Sequence, residues 1–184
     1  MIVAEELLKP ISEENPCGED LSYDPSFQEL EALMRGKPET QFSPAEDPDW
    51  GKLHKRCLEL LERSKDLRIA TALCLSATKT EGLPALREAF AFLKGLLERF
   101  WEPVFPRLDP EDNNDPLQRM NILAALSTPR GTYGDPMRFL DRLREVPLAS
   151  SVQLGRFSLL DIEKCQAGQP AVEGQPAVAM AQIE

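Results

Sequence analysis

Residues Leu67 to Thr80 carry apolar side chains on more than one helical face: Leu67, Ile69, Ala70, Ala72, Leu73, Leu75 and Ala77. A helix of that kind has no polar side to turn toward water, so other elements must surround it. Asp66 supplies an N-cap and Gly82 a stop, which bounds the segment at both ends. The chain of 184 residues is long enough to build the surrounding layer, burying roughly 70% of its unfolded surface in one core. One central helix with others packed around it is therefore the expected architecture.

The neighbours are legible by their 3.6-residue period. Asp24-Pro25 is a helix start, with Asp as N-cap and Pro in the first turn. Phe27, Leu30, Leu33 and Met34 then form an apolar stripe that Gly36 ends. Residues 36–48 hold three prolines and no period, which predicts a loop. Trp50, Leu53, Cys57, Leu60 and Leu61 mark the next helix, with Lys55, Glu59 and Arg63 as a charge ladder on its far side.

Beyond Gly82, Pro84 opens a long helix from Ala85 to about Trp101. Leu86, Phe90, Leu93, Leu96, Leu97 and Phe100 point inward, and Pro103 and Pro106 terminate it. An acidic loop over 108–116 leads through Asp115-Pro116 into a short helix, Leu117 to Leu126. Asp135-Pro136 predicts another, running to about Arg144. Val146 to Phe157 is β-branched in places and leaves room for a small hairpin. Ser158 and Asp161 have capping-box spacing ahead of a last helix to Ala167.

The expected fold class is all-α: an irregular domain of about six to eight helices with long Pro-rich loops and one small hairpin near 146–157. Residues 1–167 form that domain, with 1–23 as an extended acidic arm. The stretch 168–184 repeats Gly-Gln-Pro-Ala-Val, at 168–172 and 174–178, and has the Gly/Pro/Ala composition of a linker to a C-terminal region absent from this chain.

Charge gives the first hint of function. The net charge of −10 argues against nucleic acid or anionic lipid as partner. Residues 9–48 carry a net −7 and residues 52–107 a net +4, so an acidic arm folding back on a basic centre is the simplest expectation. No apolar run reaches the ~20 residues that span a bilayer, and the start lacks the basic region of a signal peptide. Cys17, Cys57, Cys74 and Cys165 are widely separated and read as reduced thiols of a cytoplasmic protein.

Candidate chemistry is sparse. His54, the single histidine, has no ligand at metal-binding spacing and reads as structural. Arg130-Gly131-Thr132-Tyr133-Gly134 fits no phosphate-binding motif. The loop Asp109 to Asp115 lacks the Gly and terminal Glu of a calcium loop, since its twelfth position is Met120. Glu59, Glu62 and Asp66 lack the Glu-x-x-His of a di-iron helix and are assigned as surface charges paired with Lys55, Arg63 and Arg68. Cys57 and Cys74 occupy apolar helical positions. Cys17, in a turn beside Gly18, is the one candidate reactive thiol, without an evident activating cation. Trp50 and Trp101 are packing anchors. No catalytic residue, cofactor or metal is assigned.

Several segments, in order, resemble the N-terminal domain of the type VI secretion component TssA, the ImpA N-terminal domain. They are Pro16-Cys-Gly-Glu-Asp-Leu21, Tyr23-Asp-Pro25 with Phe27, Asp49-Trp50, Glu59-Leu-Leu61 and Ser64-Lys-Asp-Leu-Arg-Ile-Ala70. Glu81-Gly-Leu83, Leu96-Leu-Glu-Arg-Phe-Trp101, Pro106-Arg-Leu-Asp109, Arg119, Asn121, Pro147-Leu148, Phe157-Ser-Leu159 and Asp161-Ile162 continue the match. The resemblance implies a cytoplasmic, non-enzymatic assembly protein that contacts baseplate, sheath/tube and membrane-complex components. It implies a homo-oligomeric ring formed through a C-terminal region outside this chain, the piece itself being a monomer or weak dimer. It brings no catalytic residues. The competing readings are a metal- or thiol-dependent enzyme domain and a helical scaffold of an unrelated system.

Overall fold

The computed structural model describes residues 2–37, 41–42, 44, 46–133, 135, 137–151 and 155–168. Within them α4 (Leu67–Glu81) is the central helix, with every residue from Ile69 to Thr78 buried. Helices α3 (Trp50–Leu61) and α5 (Leu83–Arg99) flank it along their lengths, while α6 (Leu117–Ala124) and α7 (Phe139–Arg144) cover it further on. Helix α2 (Pro25–Arg35) packs on α3, and α1 (Ala4–Leu7) on α5. A hairpin of β1 (Pro147–Ser151) and β2 (Gly155–Ser158), paired antiparallel, precedes α8 (Leu159–Gln166). The fold is thus mostly α with one small hairpin, as the periodicity predicts.

The caps behave as their chemistry requires. Asp24 accepts from the Ser26 N–H, Asp49 from Lys52 and Asp66 from Arg68, each satisfying an orphan donor of a first helical turn. Ser158 and Asp161 form a reciprocal capping box on α8. Gly36 and Gly82 end α2 and α4 at positive φ.

Five expectations need correction. Asp66, read as a surface charge, is fully buried, accepting from the Arg68 N–H and held by the Arg68 guanidinium. The arm is not wholly extended: Ala4–Leu7 makes one helical turn, and Leu8 is buried in a hollow left by Gly95 of α5. Asp135 does not start a helix. Its carboxylate binds the Met137 and Arg138 N–H groups in a turn, and α7 begins only at Phe139, after Arg138 at φ +45°. Phe90 does not point inward; it is 39% exposed and meets Phe139 edge-on at 6.0 Å. Arg63 leaves the predicted ladder, in which Lys55 and Arg56 share Glu59, and turns to the arm instead. The proposed linker lies outside the described residues from 169 onward.

Trp50 shows how α7 is held. Its ring lies under the Arg142 guanidinium at 4.7 Å and near the Lys79 ammonium at 5.8 Å. Arg142 also donates to the Met137 carbonyl and to Asp47, and Lys79 to Glu145. The cations thus tie α3, α4 and α7 together around one aromatic ring.

Candidate functional site

The Pro16–Phe27 segment lies along a seam where three chain segments meet. The Lys65 N–H donates to the Cys17 carbonyl at 2.8 Å, and the Glu19 N–H to the Arg63 carbonyl at 3.3 Å. On the other side the Phe105 N–H donates to the Lys65 carbonyl and the Leu67 N–H to the Phe105 carbonyl, at 3.0 and 2.8 Å. Residues 63–67, the break between α3 and α4, thus serve as the middle ribbon of a short ladder. Gly18 has φ +74°, and a Cβ there would stand 2.0 Å from the Arg63 carbonyl oxygen. Only glycine permits that approach.

Charge closes the seam. Arg63 donates through Nε and Nη2 to Glu19 and through Nη2 to Asp24, at 3.1, 2.7 and 2.7 Å. Arg68 stacks on Phe27 at 4.3 Å, grips buried Asp66 and reaches the Ser22 hydroxyl. Arg56 pairs with Glu29, and Arg99 with Glu5. The acidic arm therefore neutralises the basic centre within the molecule, as its charge distribution predicts.

These partners also hold carboxyls below their ordinary range. Asp24 is lowered chiefly by Arg63, Glu5 by Arg99, Asp20 by Ser22 and Asp49 by the Lys52 N–H. Burial lowers His54 in the same sense. In each case the unfolded chain binds the proton more readily, so stability falls as pH falls through these groups. Thermal melts are expected to fall in Tm below about pH 4. An unchanged Tm between pH 5 and 3 contradicts the seam's ionic character.

The loop beyond α5 is held by an arginine. Arg119 of α6 is 1% exposed and donates to the carbonyls of Pro106, Trp101 and Val104, at 2.8, 2.5 and 2.7 Å. Its guanidinium also lies 4.7 Å from the Trp101 ring centroid. In the sequence Arg119 is one matching residue among many. Nothing local marks it as a clamp, because its acceptors are backbone carbonyls set in place by the loop's fold.

The titratable candidates are absorbed into structure. Cys17 is buried, and desolvation outweighs nearby Arg107 and Lys65 to push its thiol up to about 11. Cys57 and Cys74 are pushed to about 12 by burial. A thiol-specific disulfide reagent at pH 8 is expected to modify only half-buried Cys165 quickly, and the other three only after unfolding. A second fast thiol contradicts the packing of the seam.

His54 receives partners that the sequence conceals. Its Nε2 lies 3.2 Å from Glu81 and its Nδ1 3.5 Å from the Ser76 hydroxyl. Ser76 is fully buried and donates to the Leu73 carbonyl, so no substrate reaches it. The group joins α3 to α4. Among the described residues, no cluster of three His, Cys, Asp or Glu side chains could hold a metal, and no helix is long and apolar enough to cross a membrane.

An apolar groove of ≈ 270 Å³ runs between α2, α4 and α6, lined by Phe27, Leu30, Met34, Thr71, Ile122 and Met137. Glu31, Arg35 and Arg68 also line it, with Arg35 4.0 Å from Glu31 and Arg68 paired with Asp66.

Comparison with known proteins gives the chain a family. The family described as ImpA, N-terminal, type VI secretion system matches residues 8–128. The type VI secretion system component TssA1 of Pseudomonas aeruginosa is 38% identical over 157 residues, covering 83% of this chain. The chain spans 43% of that relative's length. The solved N-terminal domain of the TssA component from Burkholderia cenocepacia, which includes the conserved ImpA N-terminal region, superposes with a TM-score of 0.73. It is 31% identical, and the match covers all of this chain and 69% of that one. The match begins in the arm and takes in the seam, the central helix and the Arg119 clamp, and on it this chain belongs to the ImpA N-terminal family of the type VI secretion system.

Proposed function

We propose that this chain is a non-enzymatic, cytoplasmic assembly domain of a TssA protein, docking baseplate, sheath/tube or membrane-complex components during tail assembly. The observation that carries the reading is the fate of its polar groups. Glu5, Glu19 and Asp24, the arginines opposite them and the candidate nucleophile Cys17 are committed to internal bonds or buried, within a chain of a secretion-component family. Such a molecule offers partners a braced surface rather than a reaction centre. Ring formation belongs, in this reading, to a region of the protein outside residues 1–167, with 168–184 as the connection.

Binding to individually purified baseplate, sheath, tube and membrane-complex subunits tests the proposal. Saturable binding to at least one is expected. Failure to bind any of them at concentrations up to about 100 μM, far weaker than a specific interface of standard size, overturns it.

A further inference from the structure

Helix α6 inverts the usual order of a surface helix. Its one charged residue, Arg119, is buried, while Leu117 and Met120 are 60% and 54% exposed. Leu117, Met120, Asn121 and Ala124 fall on one side of the helix, and all four are exposed. That outward side bears no charge, in a chain that is 28% charged. Burial of Ile122 and Leu123 does not explain it, because those residues lie on the opposite side against the core.

The loop leading into α6 supplies the complement. Asp109, Glu111, Asp112 and Asp115 crowd its N-terminal end. Asp109 and Asp115 accept backbone N–H groups of Glu111 and Leu117, and among the described residues none of the four carboxylates is paired with a cation. Glu5, Glu19 and Asp24 are matched by arginines, and these four are not. An apolar strip bordered by unneutralised carboxylates is complementary to a basic amphipathic segment.

We propose that the outer side of α6 with the 109–115 loop is a docking surface for a basic amphipathic helix of another secretion-apparatus protein. The inference rests on the assembly reading above and deepens it by naming the surface and the partner's chemistry. A second copy of this chain does not fit, since pairing the face with itself gathers two such acidic loops at one interface.

The test places a photo-crosslinking amino acid at position 120 of the protein in its native cells, with position 94 on exposed α5 and position 148 on the hairpin as comparisons. Crosslinks at 120, and not at 94, into a Lys/Arg-rich helical segment of an apparatus protein are expected. Crosslinks at 120 only to another copy of this chain overturn the inference. Silence at 120 with apparatus crosslinks at 94 or 148 overturns it too, but leaves the assembly reading standing. Silence at all three positions counts against both.

Against the captured subunit, the L117E/M120E double variant is expected to lose at least about tenfold in affinity. The E111Q/D112N variant is expected to lose several-fold at low salt and little at high salt. Both pairs of side chains are exposed, so melts matching wild type verify the fold. Unchanged affinity in the first variant overturns the inference.

Discussion

Replacing Arg119 by Met is expected to destabilise the protein by about 3 kcal/mol, a fall in Tm of roughly 6–12 °C for a chain of this size. Two effects oppose each other. The buried guanidinium has no carboxylate partner, so removing it relieves a desolvation cost, which is also what lowers its pKa. Against that stand three charge-assisted hydrogen bonds, each contributing about 1.5–3 kcal/mol, and a cation–π contact of about 1–2. Among the described residues, no backbone donor satisfies the Trp101, Val104 and Pro106 carbonyls. The bonds therefore win. Met keeps the apolar stem, so the loss reports the clamp and not the packing. Because Phe105 bonds to Lys65 and Lys65 to Cys17, loosening the loop is also expected to make Cys17 reactive. A Tm within about 2 °C of wild type, read by calorimetry, contradicts the clamp.

The second large effect is at Gly18. Gly18→Ala is expected to cost about 3–4 kcal/mol, the sum of left-handed strain and a collision with the Arg63 carbonyl. Gly131 separates these causes. It has the same φ of +74°, and a methyl group there would meet nothing within 4 Å, so Gly131→Ala carries only the strain, about 1 kcal/mol. Urea titration of both variants measures the difference. Equal losses at the two positions mean that close approach at the seam contributes nothing.

The elements built from local rules were legible in the sequence. The central helix follows from apolar residues on several faces, and Asp24, Asp49 and Asp66 occupy the cap positions that their short acceptor side chains favour. Asp135-Pro136 carries the same signal and fails. Its carboxylate closes a turn on Met137 and Arg138, and Arg138 takes a left-handed conformation that no helix start predicts. The Ala4–Leu7 turn is too short to display a period, and it is fixed by Leu8 entering the hollow at Gly95.

What remained hidden was non-local. His54 meets Glu81 only because α3 and α4 pack side by side, and Arg119 finds its carbonyls only once the 101–106 loop is folded. Opposite charges on arm and centre predict that the two associate, but not that Arg63 takes Glu19 and Asp24 while the 109–115 carboxylates go unmatched. Pairing depends on geometry, which charge totals do not contain.

The central claim is that the domain works by shape and not by side-chain chemistry. Sheath assembly in cells carrying the C17A/H54Q variant tests it most directly, since these are the thiol and the histidine that the sequence offers as candidate chemistry. With the variant folded, as its circular dichroism and melt report, the account predicts fluorescent sheaths at the wild-type frequency. Loss of sheaths from a folded variant contradicts it.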